Sequence, residues 1–248
     1  MPLPNWRAPQ PYPRLGPDDV HVWAGSLDAS PARLDRMRAC LNDAERARAD
    51  RFLQPRHRVQ SAVTRGTLRS LLGRYLDRPP QSIDLELNAH GKPALAASHQ
   101  DSRLRFNVSH SDGLVLLAFT LNRDIGVDIE KIRLDRPFEK IARRFFARGE
   151  AAQLCALEPG RQSQAFYECW TRKEAYIKAR GLGLSLPLDS FEVGFGPGIP
   201  PSLAPVPGNA GNEQTWTVAD LRPAEGFAAA LVVEAPACVI HCWRLNDE

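Results

Sequence analysis

Two segments constrain this chain more than any others: Gly126-Val127-Asp128-Ile129-Glu130 and, downstream, Trp170-Thr171-Arg172-Lys173-Glu174-Ala175-Tyr176-Ile177-Lys178. In the first, Val127 and Ile129 alternate with Asp128 and Glu130, so a strand there puts both carboxylates on one face. The second reads as a helix with Glu174 and Lys178 four apart on one side. A fold that sets this strand face against this helix face gathers three carboxylates and an ammonium, a set suited to a hard divalent cation beside a phosphate. Taken singly, the pieces have plainer readings. Asp128 and Glu130 would be the wet side of an edge strand, and Glu174 with Lys178 a surface ion pair worth about 0.2–0.5 kcal/mol. Together they point to metal-assisted phosphoryl chemistry.

The rest of the chain supplies a frame for that pair. Residues 31–53 and 58–76 read as helices, the second stopped by Pro79-Pro80. A short strand from Ile83 to Leu87 leads to a turn over Asn88–Pro93. Three apolar runs follow, Leu104–Val108, Leu114–Thr120 and Ile125–Glu130, separated by Ser111-Asp112-Gly113 and Asn122-Arg123-Asp124, which reads as a β-meander. Helices are expected over Phe138–Ala147, Glu150–Leu157 and Ser163–Arg180, the last ended by Gly181. Strands are expected at Phe191–Phe195, Thr215–Ala219 and Phe227–Val233. Between the first two, residues 194–214 hold ten Gly or Pro in 21 positions and read as a mobile loop. The order of elements predicts an α+β fold. His110, Asn107 and Ser109, at the end of a strand, read first as turn hydrogen-bonding groups, and Lys92 as a loop lysine.

With 43% hydrophobic and 25% charged residues over 248 positions, the chain has an ordinary globular composition, enough for one large domain or two smaller ones. The segment through Pro17, with six prolines and no continuous apolar run, is expected to lie extended, and it predicts neither signal peptide nor membrane anchor. Five cysteines in no metal-binding or CxxC spacing predict reduced thiols in a cytoplasmic protein. Charge is unevenly spread: residues 1–125 carry 18 Lys+Arg against 13 Asp+Glu, and residues 126–248 carry 14 against 16. Twelve arginines fall between Arg33 and Arg78, a solvated helix face or a surface for an anionic ligand. Acids interleave with them and no nucleic-acid motif is present, so nucleic acid is not the expected partner, although a basic nucleic-acid-binding module is the non-enzymic alternative. A second enzymic alternative is another Mg²⁺-dependent nucleotide phosphodiesterase built on the same carboxylates.

Matching residues run through nearly the whole chain and are densest from His90 to Val193. They include Gly91-Lys92-Pro93, Phe106-Asn107-Val108-Ser109-His110-Ser111, Gly126-Val127-Asp128-Ile129-Glu130-Lys131, Arg144-Phe145-Phe146 with Glu150, and the helix motif from Trp170 to Lys178 followed by Gly181-Leu182-Gly183-Leu184. With these the chain resembles the 4′-phosphopantetheinyl transferases of the surfactin-synthetase-activating type. The resemblance implies two similar α+β subdomains about a pseudo-twofold axis with the active site in the cleft between them: residues 1–124 contacting the coenzyme A nucleotide, and residues 125–248 bearing the metal and catalytic groups. It implies transfer of 4′-phosphopantetheine from coenzyme A to a serine of an apo acyl, peptidyl or aryl carrier protein, releasing adenosine 3′,5′-bisphosphate. Carried over by motif position, Asp128, Glu130 and Glu174 are expected to bind Mg²⁺ (or Mn²⁺). Glu174 is also the expected base, and Lys178 the group that stabilises or protonates the leaving phosphate. Lys92, Ser109 and His110 are expected at the nucleotide phosphates, with Arg48 at the 3′-phosphate and Ser61 as a smaller hydroxyl contact. A monomer acting away from membranes is expected.

Overall fold

The computed structural model describes residues 5–8, 14–205 and 215–245. Twelve strands and six α-helices occur among them, in chain order β1 (Trp6–Arg7), β2 (Asp19–Ser26), α1 (Pro31–Ala39), α2 (Asp43–Asp50), α3 (Pro55–Leu76), β3 (Leu85–Leu87), β4 (Pro93–Leu95), β5 (Leu104–Ser111), β6 (Leu114–Leu121), β7 (Ile125–Lys131), α4 (Phe138–Phe145), α5 (Arg148–Cys155), α6 (Pro159–Arg180), β8 (Phe191–Gly194), β9 (Ser202–Pro205), β10 (Trp216–Leu221), β11 (Phe227–Glu234) and β12 (Val239–Arg244). The α+β organisation expected from the sequence is observed.

The main sheets have the orders β1-β12-β2-β6-β5 and β10-β11-β7. They pack face to face through Val20, Val22 and Leu116 on one and Val127, Ile129 and Leu231 on the other. The outer face of the first sheet, with Trp23, Leu117, Phe119 and Trp243, is covered by α3. The outer face of the second, with Val218, Ala228, Ala230 and Val232, is covered by the side chains of α4, α5 and α6. Helices, sheet, sheet and helices thus form four layers, each strand alternating its residues between two cores.

Several expected elements are corrected. The helix read over 31–53 is two helices, because the Asn42 side chain accepts from Glu45 N at 2.9 Å while Glu45 reaches back to Asn42 N, a reciprocal cap that starts a new helix. The three-strand meander is broken: β5 and β6 pair, but β7 leaves to pair antiparallel with β11. The stretch read as a loop after Phe195 contains β9, which pairs with β8, and residues 206–214 lie outside the described residues. Short strands β1 and β4 were not read from the sequence, nor was β12, which returns to the first sheet and lies parallel to β2. The boundary at residues 124/125 therefore falls at the β6–β7 turn, with one later strand crossing it.

Helix α6 runs across β7 and β11 and is bound from several sides. Lys173, fully buried, donates to Leu188 O at 2.7 Å and Phe191 O at 2.6 Å and pairs with Glu150 at 2.7 Å. Arg172 forms a two-pronged bond to Asp220 of β10. The turn before β4 holds the far end: Asn88 Nδ2 donates to Gly181 O, and Lys92 Nζ donates to Ala179 O and to Ile125 O at the start of β7. Gly181 ends the helix at φ +65°. On the opposite sheet, buried His21 of β2 lies between Tyr75 and Trp243, and burial pushes its pKa down to about 4, leaving it neutral near pH 7.

Gly126 sets the spacing between β7 and α6. A Cβ there would lie 1.9 Å from Ala175 O and 2.4 Å from Ala179 N, both backbone atoms with little room to yield. Gly126→Ala is therefore expected to destabilise the protein by more than about 3 kcal/mol, beyond ordinary overpacking. The measurement is the urea midpoint at constant slope, and a midpoint near wild type would show that strand and helix can separate freely.

Candidate active site

The close approach at Gly126 brings the next residues of the same strand face, Asp128 and Glu130, against α6. Lys178 Nζ lies 2.5 Å from Asp128 Oδ1 and 2.9 Å from Ser109 Oγ, and Ser109 Oγ donates to the same Asp128 oxygen at 2.8 Å. Ser111 Oγ donates to Glu130 Oε2 at 2.9 Å. Asp128 is 3% exposed, and its Oδ2 is buried without a hydrogen-bond partner. Burial first, and then the neighbouring Asp128 charge, hold the Glu130 and Glu174 carboxyls above their ordinary range, with Lys178 partly opposing the shift.

These observations fit a hard cation. An orphaned buried carboxylate oxygen and two carboxyls whose charges are disfavoured are what a divalent ion would relieve, and all the donors are oxygens. The three carboxylates stand too far apart to form a ready cage: among the described residues, the one group with three such donor atoms mutually within 4.8 Å lies elsewhere. Like charges spread, and Lys178 sits on Asp128 as the local cation.

Strand β5 connects this acidic site to a cavity of about 730 Å³ in the first half. Its odd-numbered residues Asn107, Ser109 and Ser111 face β7, whereas Val108 and His110 line the cavity. Arg48 and Ser61 line the same cavity from α2 and α3, with Phe52 and His57. Enclosure at the cavity, with Lys178 nearby, lowers the His110 pKa from its ordinary value. Arg65 also lines it, and its Nη1 is buried without a partner while Glu45 lies 3.5 Å from Nε. Sequence reasoning did not single out Arg65. Its signal was the i,i+4 pair Ser61–Arg65 on one helix side.

Of the expected site residues, the structure brings Asp128, Glu130, Lys178 and Ser109 together, with Glu174 close enough to feel Asp128, and collects Arg48, Ser61 and His110 in the cavity. Lys92 is with neither group. Its ammonium is engaged by two carbonyls, burial lowers its pKa to about 8, and it does not line the cavity. The turn-capping reading of Asn107 and Ser109 is also corrected, since both accept backbone N–H groups of β7.

A family profile described as the 4′-phosphopantetheinyl transferase superfamily matches residues 124–232, and one described as the 4′-phosphopantetheinyl transferase N-terminal region matches residues 25–122. The chain is 36% identical over 229 residues to the 4′-phosphopantetheinyl transferase HetI of Nostoc sp., covering 92% of this chain and 93% of that protein. The chain belongs to the 4′-phosphopantetheinyl transferase superfamily. It is also 33% identical over 160 residues to the transferase Sfp of Bacillus subtilis, covering 64% of this chain and 68% of Sfp. Identity to the transferase AcpT of Salmonella typhi is 40% over 113 residues, covering 46% and 56% of the two chains. The profile matches divide at the β6–β7 turn, where the cavity half meets the carboxylate half.

The raised carboxyls give a signed expectation. In the unfolded chain Glu174 ionises at its ordinary value, but in the folded protein it keeps its proton to higher pH. Above the ordinary value the native state binds more protons, so stability falls as pH rises through that window. In metal-free protein, Glu174→Gln should raise Tm near neutral pH and flatten its decline from acid to neutral. A variant no more stable than wild type would remove the argument for carboxylate crowding.

Proposed function

We propose that the cavity and the acidic site serve one reaction: 4′-phosphopantetheine moves from coenzyme A to a serine hydroxyl of an apo acyl, peptidyl or aryl carrier protein, and adenosine 3′,5′-bisphosphate leaves. The observation that carries this reading is that β5 presents His110 to a cation-lined cavity while presenting Ser109 to the carboxylates. A ligand with phosphates at both ends of a nucleotide spans such a pair of sites.

In this reading Arg48, Arg65 and Ser61 hold the 3′-phosphate end, and neutral His110 donates to a phosphate oxygen. The apolar walls near Phe52 take the adenine. Asp128, with its free Oδ2, holds Mg²⁺ together with Glu130 and Glu174. When bound, that ion neutralises pyrophosphate charge and steadies the departing phosphate. Glu174 takes the serine proton as general base. Lys178 stabilises the leaving phosphate by charge and hydrogen bonding. Ser109 keeps the Lys178 ammonium and the Asp128 carboxylate in register. Lys92 is assigned no ligand contact and fastens α6 to β7. Five free cysteines support a cytoplasmic enzyme, and no helix among the described residues is long and apolar enough to cross a membrane.

Purified protein with coenzyme A and several apo carriers should yield carriers heavier by one phosphopantetheinyl group only when Mg²⁺ or Mn²⁺ is present. Full turnover in excess EDTA would overturn the metal assignment. Release of phosphopantetheine to water without carrier modification would overturn the acceptor. Glu174→Ala should lower kcat by about 10²–10⁴-fold. Arg48→Ala and His110→Ala should mainly raise KM for coenzyme A and shrink the preference over dephospho-coenzyme A.

A further inference from the structure

The parallel pairing of β2 with β12 places His21 directly opposite His241, with Asp19 two residues before His21 on the same strand face. We infer that Asp19, His21 and His241 form a second metal site, one for a borderline transition-metal ion such as Zn²⁺ or Co²⁺, that clamps β12 to β2. The donor atoms of the three side chains all lie within 4.8 Å of one another. Asp19 Oδ1 and His241 Nε2 are 3.3 Å apart, about the separation between neighbouring ligands around a tetrahedral ion with bonds of roughly 2 Å.

Each ligand is held from behind. The Tyr75 hydroxyl lies 2.8 Å from His21 Nδ1, leaving Nε2 as the nitrogen for a metal, and Trp23 Nε1 donates to the same hydroxyl at 2.9 Å. Gly16 N donates to Asp19 Oδ2 at 2.8 Å, which leaves Oδ1 toward His241. The His241 ring stacks on Trp243 at 5.7 Å and 12°. Such support behind ligating groups fixes their orientation before the ion arrives. An ion pair between Asp19 and a protonated His241 would use two of the three groups and leave the neutral, buried His21 without a part in it.

Two imidazoles and one carboxylate suit Zn²⁺ or Co²⁺ and suit Mg²⁺ poorly, the reverse of the all-oxygen set at Asp128. Side-chain exposures of 37% for His241 and 26% for Asp19 leave an entry path and room for a water as fourth ligand. Cys242 is on the opposite strand face, packed with Val20 and Val22, so no thiolate takes part. The site is on the first sheet, away from the acidic site, and does not depend on the proposed transferase chemistry.

The test is titration of the purified protein with Co²⁺ in excess Mg²⁺, which competes for all-oxygen donor sets and leaves imidazole sites to cobalt. One equivalent should give the visible absorption of four-coordinate cobalt with no sulfur charge-transfer band, and Zn²⁺ should displace it and raise Tm. Tyr75→Phe should weaken Zn²⁺ binding by about 10–100-fold, and His241→Ala by more, because it removes a ligand. His241→Ala should leave carrier modification unchanged, whereas Glu174→Gln should leave the cobalt spectrum unchanged. Absence of a wild-type spectrum, a sulfur band, or equal affinity in His241→Ala would each overturn the site.

Discussion

The structure turns on a seam made of side chains. Strand β7 is the edge of its sheet, and its outer N–H groups meet β5 of the other sheet instead of water. Asn107 Oδ1 accepts from Val127 N at 2.9 Å, Ser109 Oγ from Ile129 N at 3.4 Å and Ser111 Oγ from Lys131 N at 3.1 Å. Three alternate residues on one strand thus satisfy three alternate donors on the other, in parallel register. A buried donor left unmade costs about 1–3 kcal/mol, so the seam is an obligation that the two sheets meet jointly. Two of its members reach further: Ser109 and Ser111 also donate to Asp128 and Glu130. The joint between the halves and the support of the carboxylates are one network.

The helix opposite is anchored by charges that never reach the reaction. Arg172 and Lys173 sit inside the Trp170–Lys178 motif, yet both are almost wholly buried, one bonded to Asp220 and the other to Glu150 and two carbonyls. Buried cations are tolerable only when fully partnered, and here the partners come from α5, β10 and the segment leading into β8. The helix is thereby fixed in rotation, which decides where Glu174 and Lys178 point. Neighbouring residues of one motif divide the labour: two hold the helix and two face the cleft.

Period and spacing made much of this legible. Alternation in Gly126–Glu130 gave the strand and its acidic face, and the i,i+4 relation gave Glu174 with Lys178 on one side of α6. What they could not give was partnership between distant strands. The run Asn107-x-Ser109-x-Ser111 looks like a polar strand end until β7 is beside it. Lys92 reads as a loop cation because nothing local reveals the helix end that it meets. Strand β12 is six residues with no turn signal of its own, paired in parallel to a segment some two hundred positions earlier, a separation no local rule detects.

That last pairing bears on how the chain is made. In order of synthesis the first sheet has β1, β2, β5 and β6 early, but its fifth strand, residues 239–244, appears only after every helix and every other strand described. Until then one side of β2, with its buried valines and Trp23, is an unpaired template open to another chain. The first half therefore waits through synthesis for residues 239–244, so aggregation during expression should depend more on that strand than on the acidic site or the cavity.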